Sequence, residues 1–214
     1  MLNWILKMFF HALVVRPLVF LIVGLSVRDR EKLPRVGPAI IVSNHNSHLD
    51  AVTLLSLFPL MDLRYVRPVA AADYFMKPGF MRWFSLNIIG IVPVDRHARE
   101  RGEDPFVYVN DELEQNHILI IFPEGTRGEP ERMADLKKGI SHLIEQHPDV
   151  PITPIITRGL GKALPRGSYL PVPFFADVFV GDAIRWTGDR DTFMDVLKTS
   201  MQTLSDKADA KPFE

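Results

Sequence analysis

The sequence predicts an α/β fold in which helices flank a mostly parallel central sheet. Runs of apolar, often β-branched residues recur along the chain, and HILIIF at 117–122 is almost entirely apolar. Such runs are typical of strands that are covered on both faces, as in parallel sheets. Helix-like segments separate the runs, and strands that alternate with helices favour this fold class. The chain of 214 residues shows no internal repeat, so we expect one α/β domain over residues 27–214.

The elements can be placed in order from composition and periodicity. The predicted strands are 39–43, 64–70, 90–94, 117–122, 152–157 and 174–180. The predicted helices are 50–58, 73–86, 98–115, 134–146 and 190–206. The third helix is mostly polar, but Phe106, Val109 and Leu113 recur at the spacing of one helical face.

The first 26 residues differ from the rest because Leu, Ile, Val, Phe, Met and Trp dominate them. Lys7, His11 and Arg16 interrupt this segment, and its uninterrupted apolar run, 17–25, is shorter than the roughly 20 residues of a spanning helix. We expect one or two short helices in the membrane interface, with Lys7 and Arg16 reaching toward head groups. A single span and a helix buried in the protein's own core are the alternatives.

The overall composition restricts the classes of partner and chemistry. A net charge of −1 gives no reason to expect nucleic acid as a partner. The chain has no cysteine, which excludes disulfides, zinc–thiolate sites and thiol nucleophiles, and fits a reducing compartment. We therefore expect the cytoplasmic face of a membrane, with peripheral or monotopic attachment.

A first polar cluster, SNHNSHLD at 43–50, follows the predicted strand 39–43. With no enzyme nucleophile paired to it, His45 would act as a general base on a hydroxyl that the substrate brings. Asp50 could bond the other ring nitrogen and fix the tautomer. Two alternatives remain: a metal site formed by His45, His48 and Asp50, or a helix cap by Ser43 or Ser47.

Two further strands end in charged clusters. GIVPVDR (90–96) ends in Asp95 and Arg96, and FPEGTR (122–127) follows the strand 117–122. An arginine in either place could hold a phosphate or carboxylate, and backbone N–H groups of a turn at Gly125 could bind a phosphate or an oxyanion. A solvated ion pair and a tight turn with a salt bridge are the plainer interpretations.

Two weaker signals come later in the chain. VPITPI (150–155) has two prolines in a strand-like run, which predicts either a pocket wall or protection of an edge strand. Lys137 and Lys138 follow the FPEGTR cluster, and they could assist anion binding or face solvent.

In this order, NHNSHLD, GIVPVDR, FPEGTR and VPITP resemble the four ordered blocks of the glycerolipid acyltransferases, most closely the 1-acylglycerol-3-phosphate (lysophosphatidate) acyltransferase type. The resemblance covers roughly residues 35–185. It implies that His45 deprotonates the acceptor hydroxyl for direct attack on an acyl thioester, with Asp50 in support and no acyl-enzyme. The substrate-binding positions that it implies are Asn44, Arg96, Glu124, Gly125, Thr126 and Arg127.

The resemblance also implies the substrates. The acceptor would be a lysophospholipid, with lysophosphatidate as first choice, and the donor acyl-CoA or acyl-carrier protein, with no cofactor and no metal. Many family members carry a lysine between the first two blocks, where this chain has Lys77 slightly later. Another lysophospholipid or an aminoacyl lysolipid therefore stays open as acceptor. A thioester hydrolase and a non-catalytic lipid-binding protein are the competing functions.

Overall fold

A seven-stranded sheet forms the centre of the molecule in the computed structural model, which describes residues 2–75, 79–128, 132–164 and 172–210. The strands are β1 (Leu25–Arg28), β2 (Ala39–Ser43), β3 (Val66–Ala71), β4 (Val92–Val94), β5 (Ile118–Ile121), β6 (Ile152–Arg158) and β7 (Ala176–Val180). They lie in the order β1-β7-β6-β2-β5-β3-β4. The pairs are parallel apart from β6 with β7. The predicted mostly parallel sheet is confirmed.

The central strands are apolar because both of their faces are covered. Ile40 and Val42 of β2 belong to one core cluster, whereas Ala39 and Ile41 belong to another, as the alternation of side chains along a strand requires. The first cluster includes buried residues of α5 (Val107–Glu114), α6 (Gly139–Gln146) and α8 (Arg190–Asp209). The second includes buried residues of α2 (Leu49–Ser56). The sheet is therefore sandwiched between helices.

Three further helices are short. They are α3 (Ala72–Phe75), α4 (Phe80–Phe84) and α7 (Leu160–Ala163), with 3₁₀ turns at Arg30–Lys32, Leu60–Arg64 and Ala98–Arg101 and a π-helical turn at Ser85–Ile89.

Three predicted helices are shorter or more broken than the sequence indicated. The helix predicted over 73–86 is interrupted before α4, where Gly79 has a φ of +116° that ends regular helix. The helix predicted over 98–115 begins as a 3₁₀ turn and resumes at α5, because Gly102 is left-handed. The helix predicted over 134–146 begins only at α6. In addition, β1 was not predicted, since it is a short edge strand.

The N-terminal segment forms one helix, Leu2–Leu21, with α1 (Leu2–Phe10) followed by π-helical turns at His11–Val15 and Leu18–Ile22. It is long and apolar enough to cross a membrane, although length and composition alone do not separate a span from a packed helix. Its division from the domain at residue 26 stays a prediction.

The expectation that Lys7 and Arg16 reach toward head groups is wrong. Lys7 is only 3% exposed, and its Nζ lies 3.5 Å from the carbonyl oxygen of Val66. The Arg16 guanidinium donates to the carbonyl oxygen of Phe58 at 2.9 Å. Both side chains lie where the helix packs on the domain, and the backbone carbonyl groups of Val66 and Phe58 are their hydrogen-bond acceptors.

The proline-containing strand is central, so the interpretation of VPITPI as edge protection is also wrong. β6 lies between β7 and β2. Pro154 is tolerated because the β6–β7 ladder begins only at Ile155, and the Pro154 carbonyl oxygen accepts a hydrogen bond from the N–H of Gly181 at 2.8 Å.

Candidate active site

The polar clusters meet at the carboxyl edge of the sheet. β2 pairs in parallel with β5, and β3 pairs in parallel with both β5 and β4. The segments that follow β2, β4 and β5 therefore leave the sheet at the same edge, which is where open α/β sheets place their binding sites. This edge carries the SNHNSHLD, GIVPVDR and FPEGTR segments.

His45 and Asp50 form a hydrogen-bonded pair. His45 Nδ1 lies 2.8 Å from Asp50 Oδ2. The His45 side chain is 22% exposed, whereas that of Asp50 is fully buried. A carboxylate that accepts the Nδ1 proton leaves Nε2 as the basic nitrogen of a neutral imidazole, so the pair has the arrangement of a general base and its orienting partner.

The turn before α2 holds the Asp50 carboxylate in place. Asp50 Oδ2 also accepts hydrogen bonds from the backbone N–H groups of Asn46 at 2.7 Å and Ser47 at 2.8 Å. Asp50 lies in the first turn of α2, where the helix dipole favours negative charge. Ser47 Oγ accepts from the N–H of Leu49 at 3.2 Å. The serine-stabilised turn and the His–Asp pair therefore occur together, and the turn positions the pair.

The His45 ring stacks on Phe122, the first residue of FPEGTR. The ring centroids are 4.3 Å apart and the planes differ by 22°. The backbone of His45 is held as well, since its carbonyl oxygen accepts a hydrogen bond from the N–H of Gly128 at 3.0 Å. The segment after β5 therefore fixes both the ring and the main chain of the candidate base.

Glu124 links two loops and is itself buried, with 2% exposure. Its Oε1 accepts from the N–H of His45 at 2.8 Å, and its Oε2 accepts from the N–H of Ala134 at 3.1 Å. Burial raises the pKa of Glu124 above its usual range, against the lowering effect of these two hydrogen bonds. The resemblance implies a substrate contact for Glu124, but the structure places both of its carboxylate oxygens on backbone N–H groups.

Asn44 directly follows β2, and its side chain is hydrogen-bonded to the backbone of Thr157 in β6. Its amide nitrogen donates to the carbonyl oxygen of Thr157 at 2.9 Å, and its Oδ1 accepts from the Thr157 N–H at 2.7 Å. Asn44 is 4% exposed. A contact of Asn44 with substrate stays a prediction, whereas its observed contacts position the start of the His45 loop.

The remaining site residues of the sequence prediction surround the FPEGTR turn. Gly125 has a φ of +73°, which favours glycine, and its carbonyl oxygen accepts a hydrogen bond from Arg96 Nη2. Thr126 is exposed. Arg127 Nη1 contacts His48 Nε2. Two guanidinium groups thus lie beside the same turn, and the structure brings the second and third motifs together.

The contacts of Lys138 and of the two histidines of the first motif bear on two alternatives that the sequence leaves open. Lys138 Nζ pairs with Asp191 at 3.2 Å, at the beginning of α8 rather than at the His45 loop. No group of three or more His, Asp or Glu in the described part of the chain is arranged to hold a metal. In the first motif, His45 contacts Asp50 whereas His48 contacts the cationic Arg127.

The sequence predicted no role for Phe122 or Thr157, and for His48 it offered only the alternative of a metal ligand. Phe122 is the first residue of the FPEGTR motif, whose charged residues carry the functional prediction. Thr157 is more than a hundred positions from Asn44, and only the β2–β6 pairing connects them. His48 had a usable signal, because it is a second histidine three positions after the proposed base.

A buried carboxylate, a partly exposed imidazole and two guanidinium groups thus lie together at the carboxyl edge of the mostly parallel sheet of an α/β protein. Residues 24–158 match the model of the Acyltransferase family. The chain therefore belongs to this family, and the resemblance drawn from the four motifs is confirmed.

Named relatives include 1-acyl-sn-glycerol-3-phosphate acyltransferase LPAT1, chloroplastic, of Arabidopsis thaliana, which is 31% identical over 67% of this chain and 38% of its own length. The mouse (Mus musculus) 1-acyl-sn-glycerol-3-phosphate acyltransferase alpha is 31% identical over 63% of this chain and 45% of its own length. The chain thus spans less than half the length of these two relatives.

The fold is similar to the crystal structure of the 1-acyl-sn-glycerophosphate (LPA) acyltransferase PlsC from Thermotoga maritima, with a TM-score of 0.69 and 18% identity. The match covers 87% of this chain and 73% of the other.

Proposed function

We propose that this protein transfers an acyl group from an acyl thioester to the free hydroxyl of a lysophospholipid, with 1-acylglycerol-3-phosphate as acceptor and phosphatidic acid as product. The observation that carries the proposal is the His45–Asp50 pair at 2.8 Å, beside a turn that is flanked by Arg96 and Arg127. The names of the similar proteins support the choice of acceptor.

In the proposed mechanism, His45 Nε2 removes the proton of the acceptor hydroxyl while its oxygen attacks the thioester carbonyl carbon. The tetrahedral intermediate collapses when the carbon–sulfur bond breaks, and the thiolate leaving group takes the proton from the imidazolium. Asp50 holds the tautomer and stabilises the imidazolium. The acceptor itself is the nucleophile, so the reaction needs no acyl-enzyme.

The acceptor's phosphate is proposed to bind at the FPEGTR turn. Arginine suits a phosphate because its planar fork donates two parallel hydrogen bonds. Arg96 contacts the carbonyl oxygen of Gly125 and Arg127 directly follows Thr126, so we propose that both guanidinium groups bind one headgroup together with the backbone of the turn. Glu124 has its oxygens on backbone N–H groups and is proposed to support this turn rather than to bind the headgroup.

The donor is proposed to be acyl-CoA or acyl-carrier protein, with no additional cofactor. Both carry the acyl group as a thioester, which is the chemical feature that the mechanism uses.

Incubation of the purified protein with a panel of lysolipids and both donor types, followed by mass spectrometry, tests the proposed function. We expect an acylated lysolipid, with lysophosphatidate as the preferred acceptor. Consumption of the thioester without any lysolipid would instead indicate hydrolysis, and the absence of turnover with the whole panel would contradict the proposal. The panel also tests acceptor identity in view of Lys77, which lies outside the described residues.

We further propose that the protein works on a membrane surface, with its N-terminal helix lying in the interface. One side of this helix packs on the domain through Lys7 and Arg16. The helix also exposes large apolar residues along its whole length: Leu2, Leu6, Phe9, Leu13, Val14, Phe20 and Leu21. So many exposed apolar side chains on one helix favour insertion into the interface. The cytoplasmic side of the membrane stays a prediction.

The short helix α4 extends the same apolar surface. Phe80, Met81 and Trp83 are exposed there, and Phe84 contacts Phe10 of the N-terminal helix edge to face, with centroids 5.2 Å apart. Two helices that contact each other thus present apolar side chains next to one another.

Charged substitutions on this surface test the membrane proposal. We expect a Leu13→Glu, Leu21→Glu double variant to bind lipid vesicles at least about tenfold more weakly, because it places two charges on the inserted face. Val36→Glu is the matched control, since Val36 is 80% exposed but lies outside this surface. Vesicle binding by the double variant as tight as that of the wild type would contradict the proposal.

A further inference from the structure

A second histidine of the first motif, His48, faces the guanidinium of Arg127. Arg127 Nη1 contacts His48 Nε2. A guanidinium has only donors, so the contact requires Nε2 to be an acceptor. His48 is therefore neutral in this state, with its proton on Nδ1.

The surroundings of His48 favour the neutral form. Among the described residues, the groups that act on its charge are Arg127, His45 and Asp50. Partial burial lowers the pKa of His48 below its usual range, the positive charge of Arg127 and the neighbouring His45 lower it further, and Asp50 opposes them. The imidazole thus has little tendency to take a proton while Arg127 is its neighbour and no anion is bound.

An anion at Arg127 would reverse this balance. A phosphate that accepts hydrogen bonds from the guanidinium draws Nη1 away from His48 and adds negative charge beside the imidazole. Opposite charge raises the pKa of a histidine, so the ring can take up a proton and donate Nε2–H to the same phosphate. Without the anion, His48 accepts a hydrogen bond from Arg127, whereas with the anion bound both side chains donate to the anion.

We propose that His48 is a third phosphate-binding residue beside Arg96 and Arg127, which takes up a proton as the acceptor binds and favours lysolipids with a terminal phosphomonoester. This inference rests on the proposed function, because it concerns the acceptor of that reaction. A phosphomonoester carries up to two negative charges near neutral pH and a phosphodiester only one. A site that gains a positive charge binds the phosphomonoester dianion more tightly than the phosphodiester monoanion, because the attraction grows with the charge of the phosphate.

The first measurement is acceptor preference. Wild type and His48→Gln are compared with lysophosphatidate, a phosphomonoester, and lysophosphatidylglycerol, a phosphodiester. Glutamine keeps a polar side chain but cannot become a cation. We expect the variant to lose about tenfold in its preference for lysophosphatidate through KM, as for one lost charge-assisted hydrogen bond, while its kcat stays near the wild-type value. His142→Gln on α6 is the matched control, and its preference should not change.

The second measurement is proton uptake on binding. Titration calorimetry with a short-chain lysophosphatidate, in buffers of different ionisation enthalpy, counts the protons taken up without any turnover. Near neutral pH, wild type should take up roughly one proton more per bound acceptor than His48→Gln. Acceptor affinity of the wild type should also fall more steeply with rising pH than that of the variant.

The two measurements separate the inference from the function on which it rests. Failure of the wild type to acylate any lysolipid would overturn the proposed function, whereas the calorimetric proton count tests His48 with or without turnover. Equal proton uptake by wild type and His48→Gln, or an unchanged acceptor preference, would overturn the assignment of His48.

Discussion

Two histidine–carboxylate pairs with the same five-residue separation lie at opposite edges of the sheet. His45 and Asp50 follow the carboxyl end of β2, with 2.8 Å between Nδ1 and Oδ2. His117 and Glu112 precede the amino end of β5, with 2.5 Å between Nδ1 and Oε2. The two pairs share the same contact between imidazole and carboxylate.

The two pairs differ in the groups that compensate the negative charge of the carboxylate. Arg67 binds Glu112 with two hydrogen bonds of 3.1 Å, so a full positive charge already compensates that carboxylate. Asp50 is balanced by backbone N–H groups and the start of α2, so an imidazolium at His45 would be its charged partner. A histidine–carboxylate pair therefore does not by itself mark a candidate site. The His45–Asp50 pair is distinguished by its place at the carboxyl edge, where open α/β sheets bind their ligands, beside the turn that is proposed to bind the phosphate.

The largest expected effect separates the two histidines. His45→Ala should reduce acyl transfer by about 10⁴-fold, because it removes the general base. His117→Ala, the matched control, should keep activity within about twofold and instead lose roughly 1–2 kcal/mol of stability with its hydrogen bond. Steady-state kinetics of both variants measure the rate of acyl transfer, and urea unfolding measures the free energy of unfolding. Full activity of His45→Ala would refute the proposed base.

Loss of the carboxylate charge should lower kcat at Asp50 but not at Glu112. Asp50→Asn should lower kcat by about 10³-fold, since an amide cannot stabilise the imidazolium and can favour the wrong tautomer. Glu112→Gln should leave kcat unchanged. Single-turnover rates with excess enzyme provide the measurement, and comparable losses in both variants would mean that the two pairs act alike.

A smaller effect is expected at Glu124. Glu124→Gln presents an amide N–H to one of two backbone donors, which should cost about 2 kcal/mol of stability. We expect kcat to fall about tenfold, because the His45 main chain loses an anchor, with KM for lysophosphatidate unchanged within about twofold. If KM rises instead at constant kcat, Glu124 binds the acceptor directly, as the resemblance to the family implies.

The smallest effect is a pH dependence of stability at Glu112. Burial raises the pKa of Glu112, but the hydrogen bonds and charges of Arg67 and His117 lower it more, so the folded value lies below the ordinary 4.5. Its contribution is therefore present above pH 4.5 and is lost as the pH falls through the folded value.

Urea unfolding of wild type and Glu112→Gln measures this contribution. The difference in unfolding free energy should be about 1 kcal/mol near pH 7 and should shrink as the pH is lowered below 4.5. A difference that does not change with pH would contradict the ion pair with Arg67.

Much of the sheet could be predicted because its strands are locally distinctive. The segments 39–43 and 117–122 are apolar on both faces, and they became the central strands β2 and β5. The bounds of the helices are harder to predict from sequence. The polar segment 98–115 has a helical composition, but Gly102 interrupts the helix. The charged residues of the N-terminal helix were misplaced, since a sequence does not show which face will find carbonyl acceptors.

The sequence by itself determined the fold class, the strand ends that carry the polar clusters, and the identity of the candidate base and its carboxylate. Hydrophobic periodicity and motif order are local properties of a chain, so they can be read without coordinates. Only the tertiary structure decided that Glu124 bonds the His45 backbone, that Asn44 bonds Thr157 and that His48 faces Arg127. These contacts join residues 79 to 113 positions apart, and strand pairing alone brings such residues within reach of a hydrogen bond.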